Sequence, residues 1–145
     1  MIKIIELTEE ELNNNFESYI STIENLKWIK DSNKETIQRY FKNIINNSKI
    51  FIAKKDNSII WSLTAIIEYK LIRGWVKACR IEDVVVKKWY EWLWIWRMLI
   101  KKALEYWNQE SVYKFTLSWS DEVAWFYEKN GFTKSSINFK KYIKK

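Results

Sequence analysis

The chain is poor in glycine and contains neither proline nor histidine: two glycines stand in 145 residues, where an average chain is about 7% glycine. Without histidine the usual general base, the usual partner of a hydrolytic serine or cysteine and the commonest metal ligand are missing. Hydrolytic triads and His-containing zinc sites are excluded. One cysteine, Cys79, permits neither an internal disulfide nor a multi-cysteine metal site, and suits a reducing compartment. With no base beside it, Cys79 is expected to be a small packed residue. Without proline there is no Pro-rich linker, and no repeat or low-complexity segment divides the chain. No window reaches the roughly 18 apolar residues of a membrane span, and the start, MIKIIELTEEEL, has no long apolar run. The expectation is one soluble, cytoplasmic domain without metal, long enough to bury about two-thirds of its unfolded surface. The formal charge of +7 suits an anionic partner. No basic block is dense enough to argue for nucleic acid.

What is present orders itself into strands and helices. Ile2 to Leu7 alternates as a first strand, and Thr8 with Glu11 three residues on makes a capping box that opens a helix. Ile37, Tyr40, Phe41, Ile44 and Ile45 lie at helical spacing within a second helix from about Asn33 to Asn47. The segment KIFIAKKDNSIIWSLTAIIEY is a hairpin turning at Asp56 and Asn57. After a loop at Arg73 and Gly74 comes a strand from Ala78 to Val86, then a loop, then a helix from about Arg97 to Tyr106 in which Leu99 stacks on Ala103 and Ile100 on Leu104. A strand at Tyr113 to Leu117, a helix at Asp121 to Lys129 and a strand from Phe132 to about Ile143 complete the order β-α-α-β-β-β-α-β-α-β. That is an α+β class: a mixed central sheet flanked by helices.

The excess that answers the missing glycine is tryptophan, ten residues of it. The densest run is VVVKKWYEWLWIWR, Val84 to Arg97. Written with glycine for each tryptophan it becomes VVVKKGYEGLGIGR, a strand end, a glycine-spaced turn and a helix start. Such a turn aims several backbone N–H groups and the positive end of a helix dipole at one point, which is a phosphate site. Glycine is needed because a side chain would hold the anion off the backbone. Other tryptophans also fall where glycine is common: Trp61 after Ile59 and Ile60, Trp75 beside Gly74, Trp107 toward a helix C-terminus and Trp119 after a strand. Trp28 has no such place. The pattern points to a codon that the source organism reads as glycine. Taken literally, the same aromatic stretch is the mark of a membrane-interface or single-stranded nucleic-acid module, which stays open as the alternative from another class.

In that glycine form the chain resembles the GNAT superfamily of acyl-CoA-dependent N-acetyltransferases, both in element order and in the run from Val84 to Arg97. EYKLIRGWVKACRIEDVVV, then YKFTLS and FYEKNGF, resemble one branch in particular, the glucosamine-6-phosphate N-acetyltransferases, over about Ile50 to Phe132. The resemblance implies acetyl-CoA as co-substrate, D-glucosamine 6-phosphate as acceptor and a homodimer, with no nucleic acid or membrane partner. Val84, Val85 and Val86 would offer backbone groups to the pantetheine arm, and the loop of Trp92, Leu93, Trp94, Ile95, Trp96 and Arg97, with glycine at each tryptophan, would cradle the pyrophosphate. Lys70, Leu71, Ile72, Arg73, Glu82, Asp83, Tyr113 and Lys114 would contact the sugar phosphate. Tyr127 would stand beside the CoA sulfur as proton donor, with Asp83 the second catalytic candidate. Glu82 and Asp83 are adjacent on a strand and face opposite ways unless a bulge turns one. Three departures stand out: Glu91 where the superfamily pattern has Gln or Arg, Ser118, itself a cofactor-binding candidate, where the branch carries a carboxylate near the CoA, and Val123 in place of Asn. Another amine, such as a polyamine, another amino sugar or a protein N-terminus, is the rival acceptor.

Overall fold

The protein is described from a computed structural model that covers residues 1–26, 29, 33–90, 93–109, 112–118, 124–135 and 141. Its first strand, β1 (Ile2–Glu6), leads into α1 (Glu9–Asn14), which Thr8 caps by accepting the Glu11 N–H at 3.1 Å. Only half of the expected capping box forms, because the Glu11 carboxylate turns away to accept from Asn15 and to pair with Lys54. The segment expected to be one helix is two, α1 and α2 (Phe16–Ile23), broken at Asn15. Then come α3 (Lys34–Ile44), the hairpin strands β2 (Ser48–Lys55) and β3 (Ser58–Lys70), and a kinked turn α4 (Ile72–Trp75). β4 (Val76–Val86), α5 (Leu93–Gln109), β5 (Val112–Leu117) and α6 (Ala124–Lys129) follow.

The five strands form one sheet in the order β1-β2-β3-β4-β5, antiparallel throughout except that β5 runs parallel to β4. Alternation sends Phe51 and Ala53 to one face and Ile50 and Ile52 to the other, so the sheet has two cores. On one face α5 buries Ile95, Leu99, Ile100 and Ala103 against β2, β3 and β4; on the other, Leu12, Phe16 and Ile20 of α1 and α2 join Phe41 of α3. Burial of that apolar surface, at about 25 cal/mol per Å², is what holds the helices to the sheet. Cys79 is fully buried, as expected, and desolvation pushes its thiol up to about 12, which leaves it unreactive.

Three expectations change. The loop placed at Trp92 to Arg97 is already helical from Leu93, because Ile95, Leu99 and Ile100 share a stripe that the core recruits one turn earlier than the cap signals suggest. Trp61 lies inside β3 and Trp107 two residues before the end of α5; both are buried core side chains and not turn residues. No strand forms over 132–135, and the rest of the expected last strand, apart from exposed Lys141, lies outside the described residues. Trp28, Glu91, Trp92, Trp119 and Val123 lie outside them too.

Candidate active site

Two irregularities in β4 build the site. Opposite the single residue Leu63, β4 carries two, Asp83 and Val84, and the ladder resumes with Val85 against Ser62. Asp83 takes the left-handed conformation this bulge requires, at φ 49°, one that Asp tolerates better than most side chains. The bulge switches the parity of the strand. Before it Cys79 and Ile81 enter the α5 core; after it Val84 and Val86 do. Asp83 and Val85 line a cavity with Tyr19 and Thr64 on the opposite face, and Glu82 stands in register with that same Thr64. The two adjacent carboxylates therefore share a side of the sheet. Burial, then the neighbouring Glu82 charge, pushes the Asp83 carboxyl above the usual range, with Arg80 opposing.

The second irregularity is the end of the β4–β5 ladder. Its last pair is Ile81 with Leu117, whereas β4 continues to Val86. Among the described residues nothing pairs with the β5 side of Val84, Val85 and Val86, where the two strands part. An extended amide-bearing chain fits such an edge. Ser118 is exposed at the β5 side of this opening.

Tyr127 reaches the site from the α5 face, where α6 ends in a Schellman cap. Gly131, at φ 85°, donates to Glu128 O, Phe132 N–H donates to Tyr127 O, and the Phe132 and Tyr127 rings lie 6.2 Å apart. This explains the NGF of FYEKNGF: the glycine stops the helix and the Phe fixes the tyrosine. Tyr127 lines a small pocket with Phe115, Leu117 and Phe132, and burial raises its phenol pKa, keeping the proton available for donation. Asp83 and Tyr127 therefore sit on opposite faces of the sheet, flanking the gap.

The expected acceptor residues form two groups. Lys70 pairs with Glu68 at 2.7 Å, and Arg80 bridges Glu68 at 2.8 Å and Glu82 at 2.6 Å, a chain of charges along the Asp83 face. Arg73 and Lys114 meet at the Tyr113 ring, 5.6 and 5.4 Å from its centroid, which makes a second cationic cluster at the β4–β5 edge. Leu71 and Ile72 are solvent-exposed beside it. Sequence reasoning passed over Tyr19, Ser62 and Thr64, which lie beside Asp83; the one signal was a phenol among the buried residues of α2.

The α5 N-terminus is less open. Trp94 is half exposed and Arg97 exposed, but Ile95 and Trp96 are buried. The Trp96 indole lies 4.7 Å from the Phe126 ring and 4.9 Å from the Tyr127 ring, and its Nε1–H has no partner. Trp107 carries the same fault, an orphan buried N–H that costs about 1–3 kcal/mol. Trp61 does not: its Nε1 donates to Tyr90 O at 2.5 Å.

No family model matches the sequence. Solved structures do match the fold. Glucosamine-6-phosphate N-acetyltransferase from Arabidopsis thaliana superposes with a TM-score of 0.89 at 26% identity, over 99% of both chains. An acetyltransferase of Trypanosoma brucei gives 0.85 at 21%, over 99% of this chain and 100% of that one. A predicted acetyltransferase of Clostridium acetobutylicum, in a crystal structure with acetyl-CoA, gives 0.72 at 15%, over 98% and 96%. The architecture is that of the GNAT acetyltransferases, and the likeness across whole chains supports acetyl-CoA-dependent acyl transfer as the class of reaction. Among the described residues no helix is long and apolar enough to cross a membrane.

Proposed function

We propose that this chain is a cytoplasmic N-acetyltransferase that moves acetyl from acetyl-CoA to the amine of D-glucosamine 6-phosphate. The observation that carries the reading is the bulged strand Glu82 to Val86, which runs on past the last β5 pair at Ile81 and turns Asp83 to the helix α2 side of the sheet. Val84, Val85 and Val86 would hold the pantetheine arm, and the start of α5 would hold the pyrophosphate. The 6-phosphate would meet Arg73 and Lys114, the charge a phosphate needs. Acetyl-CoA supplies an acetyl thioester that a neutral amine can attack directly. Asp83, its carboxyl pKa raised, takes a proton from the attacking nitrogen, and Tyr127 gives its phenol proton to the sulfur as the carbon–sulfur bond breaks. A substrate panel tests the acceptor: strong preference for the phosphorylated sugar supports this reading, and equal rates with glucosamine or a polyamine overturn it.

The native chain is proposed to carry glycine where this sequence has tryptophan. Support comes from backbone conformation. Trp89 is the third residue of a turn closed by Tyr90 N–H to Lys87 O, lies at φ 73°, and is 87% exposed. Trp75 lies at φ 69° beside Gly74 and is 79% exposed. Left-handed backbone costs a non-glycine residue about 1–2 kcal/mol, and an indole in solvent returns nothing for it. Peptide mass spectrometry of the protein from its source tests the point: glycine at the ten positions is expected, and tryptophan at 92, 94 or 96 would overturn it.

A further inference from the structure

The last turn of α6 is held by a side chain as well as by backbone: Asn130 Nδ2 donates to Phe126 O at 2.7 Å. With it the helix end is closed by four bonds, since Asn130 N–H and Phe132 N–H both donate to Tyr127 O, at 2.9 and 3.1 Å, and Gly131 N–H donates to Glu128 O at 3.1 Å. Two of the four end on Tyr127. The same step of the chain is chemically reactive. Asn130 is the one asparagine that precedes glycine, and writing glycine for every tryptophan creates no second such step. An asparagine amide is open to attack by the backbone nitrogen of the next residue, and glycine, with no Cβ, hinders that attack least. A Cβ at Gly131 would meet no neighbouring atom, Gly131 is exposed and Asn130 half-buried, so water reaches the turn.

We propose that Asn130–Gly131 is a deamidation site whose conversion disarms Tyr127. The Gly131 nitrogen bonds to Asn130 Cγ and gives its proton to the departing amide nitrogen, the side-chain carbon–nitrogen bond breaks and ammonia leaves; water then opens the cyclic imide to aspartate or isoaspartate. Either product damages the cap. Aspartate sets a carboxylate against the Phe126 carbonyl oxygen, two acceptors with no donor between them. Isoaspartate adds a backbone atom before Gly131, so the Gly131 and Phe132 bonds back to Glu128 and Tyr127 lose register, and the Phe132 ring, 6.2 Å from the Tyr127 ring, moves with them. In the intact cap the attacking nitrogen and the leaving amide are both hydrogen-bonded, so attack waits for local opening of the turn. The consequence for catalysis rests on the proposed role of Tyr127; the modification itself does not.

The purified chain is aged in mildly alkaline buffer and sampled by peptide mass spectrometry, with the ring resonances of Tyr127 and Phe132 followed by NMR. Asn130 is expected to convert before any other asparagine, and the two rings to shift as it does, while Tyr19 in the opposite core stays. In the chain with glycine at 92, 94 and 96, Asn130→Asp should lower kcat roughly fivefold, the worth of one hydrogen bond, with KM for acetyl-CoA little changed. In a Tyr127→Phe background the same substitution should add nothing, whereas a merely structural role would lower kcat again. Asn130→Ser cannot form the imide, should lose no activity on ageing, and serves if Asn130→Asp does not fold. Conversion of another asparagine first, rings that stay put in the converted protein, or an Asn130→Asp effect that persists without the phenol would overturn the proposal. Conversion and ring shifts in a chain that acetylates no amine would instead sink the proposed function alone.

Discussion

The two sides of the gap at the end of β4 are built differently. On the acceptor side the side chains agree with the chemistry: a bulge presents Asp83, Arg80 bridges Glu82 and Glu68, and a cavity lies beside Asp83. On the α5 side they oppose it, since Trp96 fills the space beside Tyr127 with an indole whose N–H is unbonded, and Trp89 holds a glycine conformation. Asp56, Arg73 and Asp83 also take left-handed backbone, so what sets the tryptophans apart is that Trp75 and Trp89 do so with an indole in solvent and that Trp96 and Trp107 bury unbonded indole N–H groups.

The sharpest separation of the two sides comes from Tyr127→Phe in a chain with glycine at 92, 94 and 96. Loss of the phenol proton should lower kcat about 10²-fold or more with acetyl-CoA affinity nearly constant; an unchanged kcat removes Tyr127 from the mechanism. Asp83→Asn should lower kcat by about tenfold or more and abolish the acidic limb of the pH–rate profile. It should also affect stability. The Asp83 carboxyl has a folded pKa above its unfolded value, so its contribution is full below about pH 4 and is lost as pH rises through the folded pKa. Asp83→Asn should therefore raise Tm at neutral pH and change it little in acid; a fall at neutral pH contradicts the burial argument. Lys114→Ala should raise KM for glucosamine 6-phosphate severalfold and leave unphosphorylated glucosamine unaffected, whereas equal effects point to another amine. The smallest effect belongs to Trp89→Gly, where relief of left-handed strain is partly offset by the entropy of glycine. A gain of under about 1 kcal/mol in urea unfolding is expected, and a loss would mean the indole has a structural role.

Much of this was legible in the chain. Alternation in β2 and β3, the Thr8 cap and the stripe Leu99, Ile100, Ala103 all have local causes, and the structure keeps them. The switch at Asp83 was legible only as a condition, since two adjacent carboxylates on a strand face one way only if a bulge intervenes, and a bulge depends on the partner strand. The early start of α5 was hidden because the signal that extends it is burial against β3 and not a cap. Tyr19 was hidden for the opposite reason: at Phe16, Tyr19, Ile20, Ile23 spacing it reads as core, and only the sheet shows that it lines a cavity with Asp83.

The central claim is that one end of this sheet is a site for acetyl-CoA, with the β4 backbone beyond Ile81 and the α5 N-terminus as its two halves. Calorimetric titration of acetyl-CoA into the tryptophan chain and into Trp92→Gly/Trp94→Gly/Trp96→Gly tests it most directly. Binding by the glycine chain, and far weaker binding by the tryptophan chain, is the predicted result. Equal affinity in the two, or none in either, would contradict it.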